Sequence, residues 1–501
     1  MKDLRSRIKV FLSKKYPNIQ IEEKGDFLHF SEIGKSYEDI GESLKNEFPS
    51  IFFNLKPNKN GFLMEWEDSK KREVHEKDHR GIGKNLKIFD FDPLIGAGMP
   101  IWLEKGYLIK EEIKNYINRI QRNNGITIVS TPELGKKELY QTSGHWDHYQ
   151  ENMFPSLSLE GEGEYILRPM TCPHHIILYK KQKRHEKQLP IAFGENARLH
   201  RYEYSGGLFG LERTRCMELI DTHLFCAKGQ IFESLNKVFR IIQDMKEAFE
   251  IEYHSIVLSL RDVKNKDKFF NDENLWNLSE NSLKEFLNNK KIEYVEGIGD
   301  AAFYGPKIDF QIKTYAGKII TISTIQLDFS LPKKFELKYT GCDEKDYEPI
   351  MIHVGIIGTL ERFIAYLLER NNGWLPFWLS PIQITLIPVN KDSHLDSVKK
   401  LENFYKSKNI RVEVDQSDLS LGKKIAKAIE KRSFGFMIVG DKEAQELNIS
   451  DPKHLNKIAK MGWESQMSRI TKSRNKELNR KVSEEKYPKD HIDFLRWAYE
   501  K

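Results

Sequence analysis

Apolar residues recur every three or four positions between residues 101 and 123, which is the spacing of one face of an amphipathic helix. The members of this stripe are Ile109, Ile113, Tyr116, Ile117 and Ile120. The segment Asn123-Asn-Gly125 then stops the pattern with residues that are typical of a helix C-terminus. A short apolar run from 126 to 129 follows and ends at Pro132. The pattern predicts a long helix followed by a short strand.

The next part of the chain has the pattern of an antiparallel sheet. Two long segments, 191–203 and 213–226, flank a glycine-containing loop and predict a large hairpin. A second antiparallel set spans 301–329, and a strand at 349–353 leads into a helix from about residue 360 to 369. This mixture of paired strands and helices predicts an α+β domain built on an antiparallel sheet.

The pattern changes after Pro376, where strands and helices begin to alternate. We predict strands at 382–389, 410–414 and 434–439, and helices at 394–406 and 421–431. Such alternation is typical of a small α/β domain with parallel strands. The chain then divides into a small N-terminal module (1–76), the α+β domain (77–379), the α/β domain (380–445) and a C-terminal extension (446–501).

Length and composition are those of a multidomain globular protein. The chain has 501 residues, of which 39% are hydrophobic and 31% charged, so it is too apolar for a disordered chain. It has no apolar run long enough to cross a bilayer, and its start lacks the apolar segment of a signal peptide. Four cysteines without a Cys-x-x-Cys pair do not form a disulfide framework. These features predict a cytoplasmic protein that makes no membrane contact.

The positive charge is concentrated near the C-terminus. Residues 453–501 contain 13 Lys and Arg against 7 Asp and Glu, an excess equal to the net charge of +6 of the whole chain. A basic segment of this kind could follow the phosphates of a nucleic acid. A solvated helical surface has the same composition, and charge alone does not separate the two.

Three residues in separate segments offer the ligands that zinc prefers. Cys172, His223 and His353 carry a thiol and two imidazoles, and three protein ligands leave a fourth zinc position open to a substrate. Their spacings of 51 and 130 residues form no local signature. A buried cysteine and two structural histidines would explain the same residues without a metal.

Five segments of the α+β domain form an ordered set of motifs. They are Gly144-His-Trp-Asp-His-Tyr149, Arg168-Pro-Met-Thr-Cys-Pro-His-His175, Ala301-Ala-Phe-Tyr-Gly-Pro-Lys-Ile308, Ile325-Gln-Leu-Asp-Phe-Ser-Leu-Pro332 and Glu361-Arg-Phe363. Together they resemble the catalytic core of threonyl-tRNA synthetases, from about residue 78 to 379 and more loosely to about 443. The resemblance implies the class II synthetase fold, an anticodon-binding-like α/β domain, and a homodimer joined through the helix and strand that precede Pro132.

The resemblance implies ATP-dependent activation of L-threonine to threonyl-adenylate and transfer to the 3′ end of tRNA(Thr). In this family one zinc ion per subunit, held here by the cysteine and two histidines named above, takes the amine and the hydroxyl of threonine. Asp221 is expected to accept a hydrogen bond from that hydroxyl, and Tyr304 and Gln326 to contact the substrate. Valine lacks the hydroxyl, and a site built for a polar group rejects such an analogue by about 10⁴–10⁵. Asp221 and Tyr304 could also serve only the fold.

The resemblance also assigns the ATP side of the site. It implies that Arg201 contacts the α-phosphate, that Glu203 accepts from the adenine amino group and that Arg213 contacts the γ-phosphate. Arg362 is expected near the adenine and the phosphates, which Mg²⁺ would bridge. The fixed donor geometry of arginine suits this concentration of negative charge.

Transfer of the threonyl group to the terminal ribose of tRNA needs a further set of residues. By resemblance His145 is the candidate base, with Lys307 and Thr324 nearby. The alternative is a purely structural role for a histidine in a Gly-His-Trp turn.

The segment after Arg215 departs from the family. The family has Gly-Phe-Thr-Gln-Asp there, whereas this chain has Cys216-Met-Glu-Leu-Ile220. Met217 therefore replaces a phenylalanine that stacks on adenine, although a methionine can still cover an adenine face. Phe209 and Thr321 replace a histidine and a glutamine of the family.

Both ends of the chain also differ from the family. The first 76 residues cannot hold the large N-terminal editing domain, so we expect no hydrolysis of Ser-tRNA by this chain. The α/β domain keeps Val439-Gly-Asp-Lys-Glu443, but the basic extension replaces the arginine-rich strand that follows in the family.

Two other functions fit the same sequence. The first is a synthetase paralogue that forms threonyl-adenylate for a carrier protein or a resistance role. The second is an inactive synthetase-like protein that binds RNA. The presence of Arg201, Arg213 and Arg362 together argues against the second, because a pure binding protein has no use for the three.

Overall fold

The computed structural model describes residues 2–16, 20–24, 27–31, 44, 51–58, 61–68, 77–265, 269, 272–315 and 317–447. Apart from its first two residues, the predicted C-terminal extension lies outside these ranges. Within them, no helix combines the length and the apolar composition needed to cross a membrane.

The N-terminal module begins with helix α1 (Lys2–Lys15), in which Ile8 and Leu12 are buried. Its strands are β1 (Gln20–Lys24), β2 (Phe27–Ser31), β3 (Ile51–Asn58) and β4 (Gly61–Asp68). They pair antiparallel in the order β1-β2-β4-β3. This small sheet is separate from the central sheet of the next domain.

The α+β domain is built on one large sheet and several short strand pairs. Its described strands are β5 (Phe89–Asp90), β6 (Ile101–Trp102), β7 (Thr127–Ile128), β8 (Leu134–Lys136), β9 (Leu157–Leu159), β10 (Gly163–Leu167), β11 (Ile191–His200), β12 (Cys216–Cys226), β13 (Ser255–Leu260), β14 (Val295–Ile298), β15 (Lys307–Lys313), β16 (Ile319–Asp328), β17 (Tyr339–Thr340), β18 (Asp346–Tyr347) and β19 (Ile350–Thr359). The large sheet has the order β14-β13-β15-β16-β19-β12-β11-β7. Its pairs are antiparallel except at the two edges, where β13 pairs with β14 and β11 with β7 in parallel. The predicted antiparallel α+β domain is confirmed, and β11 and β12 form the predicted hairpin.

The main layer of helices covers one face of this sheet, and the site lies on the other face. The described helices of the domain are α2 (His79–Leu86), α3 (Glu104–Asn123), α4 (Lys137–Thr142), α5 (His145–Tyr149), α6 (Cys172–Lys180), α7 (Ile231–Ala248), α8 (Glu273–Asn289), α9 (Ser330–Lys334) and α10 (Leu360–Asn371). The predicted stripe of α3 is buried, and it packs with α7 and α10 into the main core. On β12 the side chains alternate between faces. Ile220 and Leu224 therefore join this core, while Asp221 and His223 point to the opposite face.

The α/β domain that follows has parallel strands, as predicted. Its elements are β20 (Ile384–Pro388), α11 (Lys391–Ser407), β21 (Val412–Val414), α12 (Leu421–Glu430), β22 (Gly435–Val439) and α13 (Asp441–Leu447). The strands pair in the order β21-β20-β22. Arg411 connects this domain to α3, because its Nη1 donates to Glu112 Oε1 at 2.7 Å.

Candidate active site and metal centre

Strand pairing brings the three predicted zinc ligands together. β12 and β19 are antiparallel neighbours in which His223 lies opposite His353, and the centres of their rings are 4.7 Å apart. Cys172 is the first residue of α6, which lies over the same face. The Cys172 sulfur and one ring nitrogen of each histidine lie within 4.8 Å of one another, and all three residues are buried. The three residues, whose spacing along the chain forms no local signature, thus lie in one compact cluster on one face of the sheet.

Each histidine of this cluster is oriented by a second polar group. His353 Nε2 is 2.8 Å from Asp328 Oδ2. His223 Nδ1 is 2.8 Å from His175 Nδ1, and His175 Nε2 is 3.2 Å from Glu195 Oε2. Asp328 binds His353 directly, whereas Glu195 acts on His223 through His175. A partner that binds one ring nitrogen in this way fixes the tautomer and leaves the other nitrogen for a metal. The donor set of one thiol and two oriented imidazoles therefore fits zinc.

Electrostatics in this cluster favour an added cation. Burial raises the pKa of the Cys172 thiol well above its usual value, and the charges of Asp221 and Asp328 raise it further. Burial also lowers the pKa of His223 well below its usual value. Both groups are therefore neutral on their own, and a bound cation would convert the thiol to a thiolate.

The predicted threonine-contacting residues surround the cluster. Asp221 is buried, its Oδ2 accepts from the Thr171 hydroxyl, and it lies 3.8 Å from His223 Nε2. The Tyr304 ring stacks on the His353 ring with centres 5.1 Å apart, and its hydroxyl donates to Gln326 Oε1 at 3.1 Å. The structure places these groups within reach of a ligand bound at the three-residue cluster.

Lys307 and Thr324 meet at a carboxylate that the sequence analysis did not single out. The Lys307 ammonium donates to Asp309 Oδ2, and the Thr324 hydroxyl donates to Asp309 Oδ1 at 2.8 Å. Ser259 Oγ also donates to Asp309 Oδ2, at 3.0 Å. Because Lys307 lies opposite Gln326 across β15 and β16, this group borders the threonine side of the site.

His145 lies against the cysteine of the cluster. It is the first residue of α5 and fully buried, with Nδ1 2.7 Å from Ser143 Oγ and Nε2 3.7 Å from Cys172 Sγ. Burial, followed by the charge of His353, lowers the pKa of His145 to about 3. The imidazole is therefore neutral at neutral pH.

The predicted ATP residues lie on the loop that joins β11 to β12, at the start of β12 and in the first turn of α10. Arg201 Nε donates to the Pro169 carbonyl at 3.2 Å. Arg362 Nε donates to the Glu212 carbonyl at 3.1 Å. Burial lowers the pKa of Arg362, and the nearby charges of Arg201 and Arg213 lower it further, although Glu212 raises it. Three positive charges therefore lie in the same region of the site.

Glu203 and Arg213 contact each other in this structure. Arg213 donates to Glu203 Oε2 from Nε at 2.8 Å, and its Nη2 is 2.7 Å from the same oxygen. The sequence analysis assigned these residues to opposite ends of ATP. The contact therefore engages two groups that the assigned roles would direct to ATP.

The residues that depart from the family divide between the two faces of β12. Met217 packs with Ala197, Leu199 and Leu219 in a small apolar cluster on the face of Asp221 and His223. Glu218 points the other way and is buried.

Glu218 is held by groups of two helices. It forms an ion pair with Lys110 of α3, and Lys114 Nζ is 3.4 Å away. Burial raises its pKa, but the charges and hydrogen bonds of Lys110 and Lys114 together outweigh this effect, and the net pKa is lowered. The backbone N–H of Glu218 donates to Glu361 Oε2 at 2.9 Å.

Sequence reasoning missed several residues around the site, namely His175, Glu195, Asp328, Asp309 and Lys110. Two signals were present, because His175 and Asp328 lie inside segments that carried the family resemblance. The other three can be recognised only from the three-dimensional structure, because they act through contacts between separate elements: Glu195, Asp309 and Lys110.

Comparison with known proteins gives a consistent result. Residues 156–371 match the family model "tRNA synthetase class II core domain (G, H, P, S and T)", and residues 383–473 match "Anticodon binding domain". The chain is 48% identical over 372 residues to the threonine–tRNA ligase of Mycoplasma genitalium, covering 74% of this chain and 66% of that protein. It is 46% identical over 400 residues to the threonine–tRNA ligase of Mycoplasma pneumoniae, covering 79% and 71%.

The fold agrees with a solved structure whose title names the RNA binding domain of threonyl-tRNA synthetase from Cryptosporidium parvum. The two align with a TM-score of 0.70 and 33% identity, over 74% of this chain and 90% of the other. The aligned region thus spans only about two thirds of the length of the curated relatives, but nearly all of this solved domain.

Proposed function

The chain belongs to the threonine–tRNA ligase family, and we propose that it activates L-threonine with ATP and transfers the threonyl group to tRNA(Thr). The observation that carries this proposal is the buried cluster of Cys172, His223 and His353. Asp221 lies 3.8 Å from His223 and the Tyr304 ring stacks on His353, so we assign to both the reading of the amino-acid side chain.

The proposed metal is zinc, one ion per subunit, held by the three residues of that cluster. When bound, it supplies open coordination positions for the amine and hydroxyl of threonine. Asp221 then accepts a hydrogen bond from the threonine hydroxyl. Tyr304 and Gln326 line the opposite side of the threonine pocket. Valine would leave the buried Asp221 oxygen without that donor, which is the basis of the proposed selectivity.

For adenylate formation we assign the arginines to the developing charge. Arg201 and Arg362 stabilise the α-phosphate as the carboxylate of threonine attacks it and pyrophosphate leaves. Magnesium accompanies the ATP phosphates, as in the synthetase family. Opening of the contact between Glu203 and Arg213 frees one group for adenine and the other for the γ-phosphate, with Met217 beneath the adenine.

For the transfer step we propose that His145 orients the terminal ribose hydroxyl of tRNA. Its neutral ring has Nδ1 engaged with Ser143 and can accept a hydrogen bond. A ring with such a low pKa is a poor base, because it does not retain a proton at neutral pH. It can still accept a hydrogen bond and so align the hydroxyl. Lys307 and Thr324, linked through Asp309, line the same side.

The remaining parts of the proposal concern partners. We assign recognition of the tRNA anticodon to the α/β domain and subunit contact to α3 and β7, as a homodimer. A ligase that charges tRNA works where translation occurs, so a cytoplasmic location belongs to the same proposal.

The other two functions that fit the sequence are less well supported. The curated relatives in the comparison are named threonine–tRNA ligases, which favours neither a paralogue that stops at the adenylate nor an inactive RNA-binding protein.

Two assays on the purified 501-residue chain separate these possibilities. Threonine-dependent exchange of pyrophosphate into ATP tests activation, and labelling of tRNA(Thr) with radioactive threonine tests transfer. The proposal predicts both. Exchange without charging would favour the adenylate-forming paralogue, and the absence of both with zinc supplied would contradict the proposed function.

A further inference from the structure

A buried histidine outside the metal cluster links two elements of the ATP side. His79 is the first residue of α2 and fully buried. Its Nδ1 is 2.6 Å from Glu369 Oε1 near the end of α10, and its Nε2 accepts the backbone N–H of Leu211 at 3.1 Å. The tautomer follows from these partners, because the ring must donate to the carboxylate from Nδ1 and accept at Nε2.

Asp78, His79 and Glu369 lie as close together as metal ligands would, within 4.8 Å. The hydrogen bonds nevertheless occupy both ring nitrogens of His79. Both oxygens of Asp78 bind the guanidinium of Arg80, at 2.7 to 3.1 Å. The group is therefore complete without an ion and acts as a hydrogen-bonded support.

What it supports is the loop between β11 and β12. The Phe209 ring meets the edge of the His79 ring at 5.7 Å, and the Arg80 guanidinium covers Phe209 at 4.2 Å. Gly210 has a φ of +47°, and a Cβ there would lie 2.3 Å from His79 Nε2. This close approach allows the adjacent Leu211 N–H to reach the imidazole. Phe209, which replaces a histidine of the family, therefore lies between the His79 ring and the Arg80 guanidinium.

The loop carries residues on which ATP binding depends in the proposed function. Glu212, next to Leu211, accepts from Arg362 Nε through its carbonyl, and Arg213 follows directly. A displacement at Leu211 is therefore transmitted to both arginines. Glu369 lies near the C-terminal end of α10 and Arg362 lies in its first turn, so both ends of this helix hold the loop.

We propose that His79, held by Glu369, is a positioning residue that sets the loop from Phe209 to Arg213 for ATP binding. This inference rests on the proposed function for its kinetic readout. It concerns the loop geometry, however, and that geometry can be measured without activity.

The main variant is His79→Phe, which keeps a ring of similar size and removes both hydrogen bonds. We expect the KM for ATP in pyrophosphate exchange to rise about tenfold, the effect of losing about one hydrogen bond, while the KM for threonine changes less than about twofold. His79→Gln restores an acceptor for the Leu211 N–H, and its KM for ATP should lie between the two. This second variant keeps the test valid if His79→Phe folds poorly.

The chain offers a matched control in the α/β domain. His394 is also buried, with Nε2 2.9 Å from Asp441 Oδ1 and Nδ1 accepting the Asn390 N–H at 3.1 Å. His394→Phe removes an equivalent pair of hydrogen bonds far from the loop. It should therefore leave both KM values in the exchange assay unchanged.

Hydrogen exchange separates failure of this inference from failure of the proposed function. In His79→Phe the amide of Leu211 should exchange at least about tenfold faster than in the wild type, and in His394→Phe it should not. This holds whether or not the wild type is active. Unchanged protection at Leu211, or equal increases of the KM for ATP and for threonine, would overturn the positioning role.

Discussion

On the proposed threonine side of the site, groups outside the ligand position hold the polar residues, whereas on the proposed ATP side two of the charged residues, Glu203 and Arg213, hold each other. Asp328 and His175 orient the two histidines of the metal cluster. Glu203 and Arg213, in contrast, form a contact that opens on ATP binding in the proposed function. The proposal therefore needs a rearrangement on the ATP side and none at the metal cluster.

Sequence departures follow the same division. β12 runs through both halves, and its residues from Asp221 onward keep the family pattern while those from Cys216 to Ile220 do not. Groups that bind a metal and a small amino acid allow little change in position or chemistry. An adenine ring can be covered by any large apolar side chain, and here the altered strand is supported by the ion pair between Glu218 and Lys110. In this chain the departures from the family pattern on β12 therefore lie on the proposed adenine side, and the proposed metal ligand His223 and its neighbour Asp221 keep the pattern.

Removing the cysteine of the metal cluster should have the largest effect. Cys172→Ser is expected to lose zinc and to reduce threonine-dependent exchange by at least about a thousandfold, because the amino acid loses its anchor. Metal analysis and the exchange assay measure both effects. Cys342→Ser, at an exposed cysteine, is the control and should retain both. Full activity of a metal-free preparation would contradict the zinc assignment.

The second-largest expected effect is a loss of stability when the ion pair between Lys110 and Glu218 of β12 is broken. Lys110→Met leaves the buried Glu218 with a weaker set of partners and should lower the free energy of unfolding by about 3 kcal/mol. The double variant Lys110→Met with Glu218→Thr removes both charges and should recover most of that loss. Urea denaturation measures these values. Equal losses in the single and double variants would show that the ion pair is not the cause.

The pH dependence of stability tests the carboxyl beneath the same strand. Burial raises the pKa of Glu361 to about 7. The folded protein therefore binds a proton there that the unfolded chain releases near pH 4.5, so stability falls as the pH rises toward 7. Glu361→Gln still accepts the Glu218 N–H without ionising. Its stability relative to the wild type should increase by about 2 kcal/mol between pH 5 and pH 8. A constant difference across this range would contradict the raised pKa.

Restoring the family residue at the adenine position should have the smallest effect. Met217→Phe returns an aromatic ring and should lower the KM for ATP by about threefold, in line with the modest energy of aromatic stacking. Met217→Leu is the size-matched control and should not improve it. An unchanged KM in both variants would indicate that residue 217 does not contact the adenine.

Much of the fold follows from the sequence because its signals are local. The stripe of α3 and the alternation after Pro376 predicted elements that the structure places within a few residues of the expected bounds. The strand β7 is shorter than its apolar run, because only Thr127 and Ile128 pair with β11.

The site was less accessible to local reasoning. His223 and His353 are 130 residues apart and meet only because β12 and β19 are neighbours. Their grouping was therefore predicted from the resemblance to a family and not from their spacing along the chain. Asp309 and Lys110 act through contacts between elements, and their spacing along the chain gives no sign of them.

The most direct test of the central claim compares threonine with valine in the exchange assay of the zinc-loaded wild type. Asp221 and the metal cluster are proposed to read the hydroxyl, so kcat/KM for threonine should exceed that for valine by at least about 10⁴. A ratio of this size, measured before tRNA is added, would assign the selectivity to the amino-acid site itself. Activation of valine within about a hundredfold of threonine would contradict the account, because a pocket that reads shape alone discriminates only to that extent.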